Sequence, residues 1–193
     1  MFEKTFGIGI MGRIKSRLRY CLTICDPYFQ GLSSYRKVQM IIFEGWCVGY
    51  KALSDAQLEQ RYAEPSISLA KHDIEDLKFI NYKLREYDLM TDCFDAFVHI
   101  DADPEFAYDW REQQEDELRK KGSGMTKEEV TTFMDGYFPA YELYLEGLRR
   151  GVFLKPSSSG MVQGAKSGPR HLKLVVGKDR KVVKPGGISY LGS

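Results

Sequence analysis

Long apolar runs are missing from this 193-residue chain. None approaches the roughly 20 residues of a membrane-spanning helix, so no spanning segment is expected. Cysteine is scarce. Cys21, Cys25, Cys47 and Cys93 sit among buried-looking neighbours and do not form a secreted disulfide framework. Cys21-x-x-x-Cys25 has no second pair, and His72, His99 and His171 lack ligand spacing, so zinc is not expected. A Ser-centred nucleophile elbow is also absent. Net charge is only +1, which removes the simplest argument for nucleic acid or a membrane surface as partner. What is present is 43% hydrophobic content with 12 Tyr, 11 Phe and 2 Trp, enough for a core in one domain.

The charge is unevenly spread. Residues 1–37 carry seven Lys/Arg against Glu3 and Asp26, a local excess of +5, and the remainder is −4. This basic start lacks the Ser-rich character of a targeting peptide and reads as an irregular, solvated lead-in to a cytoplasmic chain. Neither nucleic acid nor membrane is expected as a partner. Within it, Gly7-Ile8-Gly9-Ile10-Met11-Gly12 resembles a damaged phosphate-binding loop, but Arg13-Ile14 stands where Lys-Ser/Thr is required. A loop out of register with its lysine cannot place an ammonium on phosphates.

The rest of the chain alternates strand and helix signals. Val38–Phe43 is a short continuous apolar run ending at Glu44-Gly45, as in a strand covered on both faces. Ser54 and Gln57 form a capping box. Leu69, Ile74, Leu77, Ile80 and Leu84 predict a helix over about 68–87. Phe94–Ile100 reads as the next strand, and Asp103-Pro104 opens a helix to about Lys121, broken by Gly122-Ser123-Gly124. Thr126 and Glu129 form a second capping box. Pro139 starts or kinks another helix that ends at Gly151. Residues 155–170 form a Gly/Ser/Pro-rich loop. His171–Val176 and Lys181–Val183 predict a hairpin, and the tail from Pro185 reads as frayed. The order argues an α/β fold with a mainly parallel sheet flanked by helices and a C-terminal hairpin. The units are 1–37, 38–184 and the tail 185–193.

Three groups of residues could carry chemistry. Glu44 ends the first strand, where ligands of parallel sheets bind. It could hold Mg²⁺, or simply face water. Arg111, Gln114 and Glu115 share one helix face. Arg111 could grip phosphate bidentately, or make an ordinary i,i+4 pair with Glu115. Tyr137, Tyr141 and Tyr144 form a stripe at helical spacing. Such a stripe is usually core, yet its hydroxyls could reach a substrate.

Four segments, IIFEGWCVGY (41–50), AYDWREQQEDEL (107–118), GSGMTKEEV (122–130) and YFPAYELYLEGL (137–148), occur in one order. That ordered set resembles the C-terminal part of the D-glycerate 3-kinase-like family, including a fungal ATP-binding kinase-like branch, over about residues 38–183. These are P-loop kinases related to uridine kinase, phosphoribulokinase and pantothenate kinase. The resemblance implies a partial P-loop α/β fold, ATP and Mg²⁺ as cofactors, and a small hydroxy acid such as D-glycerate as substrate. It implies Glu44 as the catalytic carboxylate near the metal. It implies Arg111, with Gln114, on the lid side over the nucleotide's phosphates. Asp179 and Arg180 would lie near the adenine, and Tyr141 at the substrate.

The family also carries a GxxxxGK[ST] loop, which none of the residues ahead of Glu44 matches. Phosphoryl transfer depends on positioning and charge stabilisation. The expectation is therefore a truncated or inactive kinase chain, or a kinase-derived protein that binds a partner or weakly binds nucleotide. An exposed sheet edge would then favour self-association.

Overall fold

The computed structural model describes residues 6–11, 41–66, 68–153, 170–183 and 188–191. Five strands, β1 (Phe6–Met11), β2 (Ile41–Gly45), β3 (Ala96–Asp101), β4 (His171–Val175) and β5 (Ile188–Leu191), form one sheet in the order β2-β1-β3-β4-β5. β3 and β4 are parallel, whereas β1 is antiparallel to both β2 and β3, and β5 is antiparallel to β4. Because β1 opposes both neighbours, β2, β3 and β4 point the same way. The α/β class stands, with a parallel set at its heart, but β1 and β5 are reversed strands in regions read as irregular and frayed.

The reason for missing β1 is compositional. FGIGIM interleaves glycine with apolar residues, and glycine weakens a strand's intrinsic signal. Two flanking ladders supply the order instead. Gly7 and Gly9 lie opposite Gly45 and Phe43 on one side, and opposite His99 and Phe97 on the other. The stretch that resembled a phosphate loop is therefore, as far as Met11, ladder rather than loop.

The helices are α1 (Asp55–Ala63), α2 (Ile74–Leu84), the short α3 (Asp88–Thr91), α4 (Phe106–Arg119), α5 (Lys127–Asp135) and α6 (Phe138–Arg150). Both capping boxes form, Ser54 with Gln57 and Thr126 with Glu129. Gly151 ends α6 at φ +139°. The helix expected over 68–87 is divided. A 3-10 turn over Leu69–Lys71 stops at His72, and Asp73, in extended conformation, accepts the Glu75 N–H to begin α2. An Asp side chain competing for backbone N–H favours a new N-cap over helix continuation. Leu69, Leu77 and Leu84 are buried as the periodicity requires, but Ile80 is exposed.

The helices bury one face of the sheet. β3 alternates half-buried and buried, so Phe97, His99 and Asp101 face the core. Val48, Tyr50, Leu58, Phe94, Phe97 and Leu148 centre that core. The chain crosses onto it after β2 through Gly49, whose φ is +91° and whose missing Cβ would lie 2.6 Å from the Phe97 ring. Asn81, buried on α2, both donates to Leu53 O and accepts from Leu53 N–H at 2.9 Å, tying α2 to the segment before α1. A smaller apolar cluster of Ala107, Val130 and Met134 holds α4 against α5. On the other face of the sheet, Ile42 and Ile188 are largely exposed.

The hairpin is present at its turn. Gly177 N–H donates to Lys181 O at 2.9 Å, and Val176 bridges Val182. Its second arm is only that bridge, and the strand laddered to β4 is β5. The loop expected over 155–170 lies outside the described residues except Arg170, which donates to the carbonyls of Phe94 and Asp95.

Candidate functional site

Beyond the carboxyl end of β3 the chain runs from Asp101 through Ala102-Asp103-Pro104 into α4. Ligands of parallel sheets bind at this edge. A cleft of about 520 Å³ opens here. One wall is a single stripe of α6: Phe138, Tyr141, Glu142, Leu145, Glu146 and Arg149. Steps of three and four residues put them on one helix face. The opposite wall is the start of α4, with Asp103 and Tyr108, closed by Asp135 of α5 and Lys71 of the 3-10 turn.

Most charged groups on these walls are tied down. Glu142 accepts from the Ser66 hydroxyl and, at 2.7 Å, the Ser68 hydroxyl. Asp135 accepts from Lys71 and from the Tyr108 hydroxyl, each at 2.7 Å. Those two donors, lysine first, hold the Asp135 carboxyl below its ordinary range. Burial and the same hydrogen bond push the Tyr108 phenol up. Arg149 holds the buried Asp101 through Nε at 3.0 and 3.2 Å and one terminal nitrogen at 2.9 Å. Asp101 ends β3, so this pair pins the end of α6 to the sheet.

Deeper in the core, His99 and His171 are fully buried, 5.8 Å apart between ring centres. Burial is the main cause holding both near 4. His171 Nδ1 accepts the Val152 N–H, and neither nitrogen of His99 has a hydrogen-bond partner among the described residues. Both rings are thus neutral at pH 7.

The residues singled out from sequence do not all meet. Tyr141 is buried and lines the cleft, its ring against Trp46 and Phe138. Glu44 is exposed on β2, the edge strand, and does not line the cleft. Arg111 pairs with the buried Glu115 at 2.5 Å and stacks over Phe133 at 4.5 Å. Glu115 also accepts the Met125 N–H at 2.8 Å, so this pair locks α4 to the turn before α5. Gln114 lies half-buried on the same helix. Asp179 and Arg180 occupy the turn after β4, where Arg180 lies over Trp110 of α4 and Trp110 donates to Lys178 O. The structure thus gathers Arg111, Gln114, Asp179 and Arg180 on or beside α4, with Tyr141 in the cleft and Glu44 away from its walls.

Sequence reasoning missed Asp101, Arg149, Glu142 and Lys71. The α6 stripe was visible as aromatic spacing, but its continuation to Arg149 carries meaning only once Asp101 is placed opposite. Among the described residues no three His, Cys, Asp or Glu side chains are grouped to hold a metal. A single exposed carboxylate such as Glu44 nonetheless suits Mg²⁺, which keeps several waters and takes its other ligands from phosphates. Carboxylates outnumber cations around the cleft. That sign opposes an anion at these walls except where Lys71 or Arg149 faces it.

No protein-family model matches the chain. The fold is similar to that of a solved D-glycerate 3-kinase from Cryptococcus neoformans, with TM-score 0.62 and 28% identity over 82% of this chain and 57% of that one. In sequence the chain is 36% identical over 119 residues to an uncharacterized kinase, mug58, of Schizosaccharomyces pombe, covering 60% of this chain and 42% of that protein. It is 34% identical over 113 residues to the chloroplastic D-glycerate 3-kinase of Arabidopsis thaliana, covering 58% of this chain and 22% of that protein. The chain thus spans less than half of either curated relative. The resemblance to D-glycerate 3-kinase-like proteins stands in both sequence and fold. No helix among the described residues is long and apolar enough to cross a membrane.

Proposed function

We propose that this chain forms the acceptor side of a small-acid kinase, an ATP-dependent phosphotransferase acting on a hydroxy acid such as D-glycerate. The observation that carries the reading is the shared fold with a D-glycerate 3-kinase over 82% of the chain. Glu44, at the carboxyl end of β2, is the residue we assign to Mg²⁺, and the metal would offset charge on the transferring phosphoryl group. Arg111 is assigned to the nucleotide side with Gln114, Asp179 and Arg180. Its guanidinium is held in one orientation by Glu115 and Phe133, as an anion-gripping arginine requires. A cytoplasmic location is part of the same proposal.

These 193 residues contain no GxxxxGK[ST] sequence, and the glycines nearest to one, Gly7 and Gly9, pair in β1. Without a backbone N–H cradle and its lysine, phosphoryl transfer lacks its main source of positioning. The chain by itself therefore binds MgATP weakly and does not turn over. The test pairs transfer of labelled γ-phosphoryl from ATP to D-glycerate with MgATP-dependent thermal shift. The expected result is no transfer above a protein-free control, and a small shift that Glu44→Gln removes. Robust turnover lost in Glu44→Gln would overturn the inactivity. No MgATP-dependent shift would overturn the kinase reading.

A second reading is a non-catalytic interaction protein. It is favoured by the exposure of Ile42 and Ile188 on one face of the sheet, Ile42 lying on an edge strand. Light scattering on the purified chain tests it, and a stable monomer at all concentrations would remove it.

A further inference from the structure

The outer side of α2 carries large apolar side chains where a solvated helix would carry polar ones. Leu77, Asn81 and Leu84 turn its inner side into the core. Phe79, Ile80 and Tyr82 nevertheless stand 62%, 54% and 59% exposed, and Tyr87 and Leu89, just beyond α2, 47% and 60%. A 3-10 turn over Arg85–Tyr87 carries the helical path on from α2. None of the five lines the cleft or belongs to either apolar cluster. Each leaves on the order of 100 Å² accessible, so together they leave on the order of 500 Å², the size of patch that marks an interaction surface.

Charge is ordered along this patch. Asp76, Phe79, Ile80, Lys83 and Tyr87 follow the spacing i, i+3, i+4, i+7 and i+11, which is one stripe of a helix surface. The acid stands at the N-terminal end, the base towards the C-terminal end, and the apolar pair midway between them. Lys83 is held at 2.8 Å by Glu86 and lies over the Tyr82 ring at 5.7 Å. A stripe with opposite charges at its two ends complements itself when turned end for end. In an antiparallel pairing about a two-fold axis midway between Phe79 and Ile80, Asp76 of each copy comes level with Lys83 of the other, because the two are equally far from the axis. Phe79 then meets Ile80 of the other copy. Such an isologous contact needs one self-complementary patch and no second surface. Two patches together remove on the order of 1,000 Å² from water, the lower limit of a specific interface, before the polar rim is added. Between Ile74 and Leu89 bases do not outnumber acids, so the patch lacks the charge of a nucleic-acid surface.

We propose that the outer side of α2 is the contact of a two-fold symmetric homodimer, with the two helices antiparallel and Asp76 of one copy against Lys83 of the other. The contact goes beyond the kinase reading, and it uses a different surface from the sheet face that bears Ile42 and Ile188.

Sedimentation velocity on the full chain over a range of concentrations tests it, alongside thermal unfolding. The expected result is a reversible dimer in the micromolar range, as suits a contact of this size. Phe79→Asp is expected to weaken dimerisation at least about a hundredfold. It should leave the melting temperature of the dilute, monomeric chain unchanged, because the ring is already in water. Asp76→Lys and Lys83→Glu are each expected to weaken the dimer about tenfold, and the double variant to recover to within about threefold, since the exchange restores both cross-contacts. A structural role for either side chain within its own copy gives no such rescue. A monomer at all concentrations would overturn the homodimer, as would a dimer that survives Phe79→Asp but is lost in Ile42→Asp. Failure of the double variant to recover would overturn the antiparallel pairing. A sharp fall in the melting temperature of Phe79→Asp would show the ring packed inside its own chain and remove the surface. A dimer of this kind with no MgATP-dependent shift would break the kinase reading alone, and an MgATP-dependent shift in a strictly monomeric chain would break the homodimer alone.

Discussion

Two arginine–carboxylate pairs, one on α4 and one at the end of α6, use the same chemistry and do different work. Glu115 is buried and Arg111 half-buried, at 3% and 12% side-chain exposure, with a phenylalanine face against the guanidinium and a backbone N–H on the carboxylate. Arg149 and Asp101 are asymmetric, at 37% and 7%. The first pair clamps a helical hairpin. The second anchors a guanidinium from behind and leaves its front towards a cleft. The two arginines carry the same charge and differ in how much of the side chain is left accessible.

The comparison can be broken in order of effect. Acid should act first on the histidine pair buried in the core. Burial holds His99 and His171 near 4 in the folded chain, below the ordinary 6.5. A depressed histidine contributes its full stability above about pH 6.5 and loses it as pH falls towards 4, by at most about 3 kcal/mol for each ring. Urea titrations at stepped pH should show the fall, and His99→Phe should flatten it. Glu115→Gln comes next. It takes the buried carboxylate away from the half-buried Arg111 and should destabilise the chain by about 3 kcal/mol in urea. Arg149→Gln leaves Asp101 buried with one partner fewer and should lose about 1–3 kcal/mol. The smallest effect is Thr126→Ala, which removes the α5 cap for about 1 kcal/mol and should leave binding untouched. If Glu115→Gln cost less than Arg149→Gln, the more enclosed pair would not be the stronger clamp and the contrast would fail.

How far the sequence could be read differs by region. The capping boxes at Ser54 and Thr126, the break at Gly122, the end of α6 at Gly151 and the turn at Gly177–Arg180 were all legible, because each signal and its structure lie within a few residues. The division at His72–Asp73 was not, since apolar periodicity continues across it while a single Asp side chain starts a new helix. β1 was illegible because FGIGIM owes its order to β2 and β3, which begin only at Ile41 and Ala96. Of the candidate site, Tyr141 could be picked from its stripe and Arg111 from its face. Arg149 had no local signal. It pairs with Asp101, 48 residues earlier, and neither residue is unusual in its own neighbourhood.

The order of letters alone determined the helix ends at Ser54, Thr126 and Gly151, which segments resemble D-glycerate 3-kinase-like proteins, and that the class is α/β. Caps, turns and amphipathic spacing are short-range, so they are written locally. Tertiary structure alone decided that β2, β3 and β4 share a direction with β1 reversed between β2 and β3, that Arg111 is enclosed by α5 while Arg149 lines a cleft, and that Tyr50, Tyr141 and Tyr144 gather in one core. Those outcomes depend on which distant side chains exclude water together, and no window of consecutive residues contains that information.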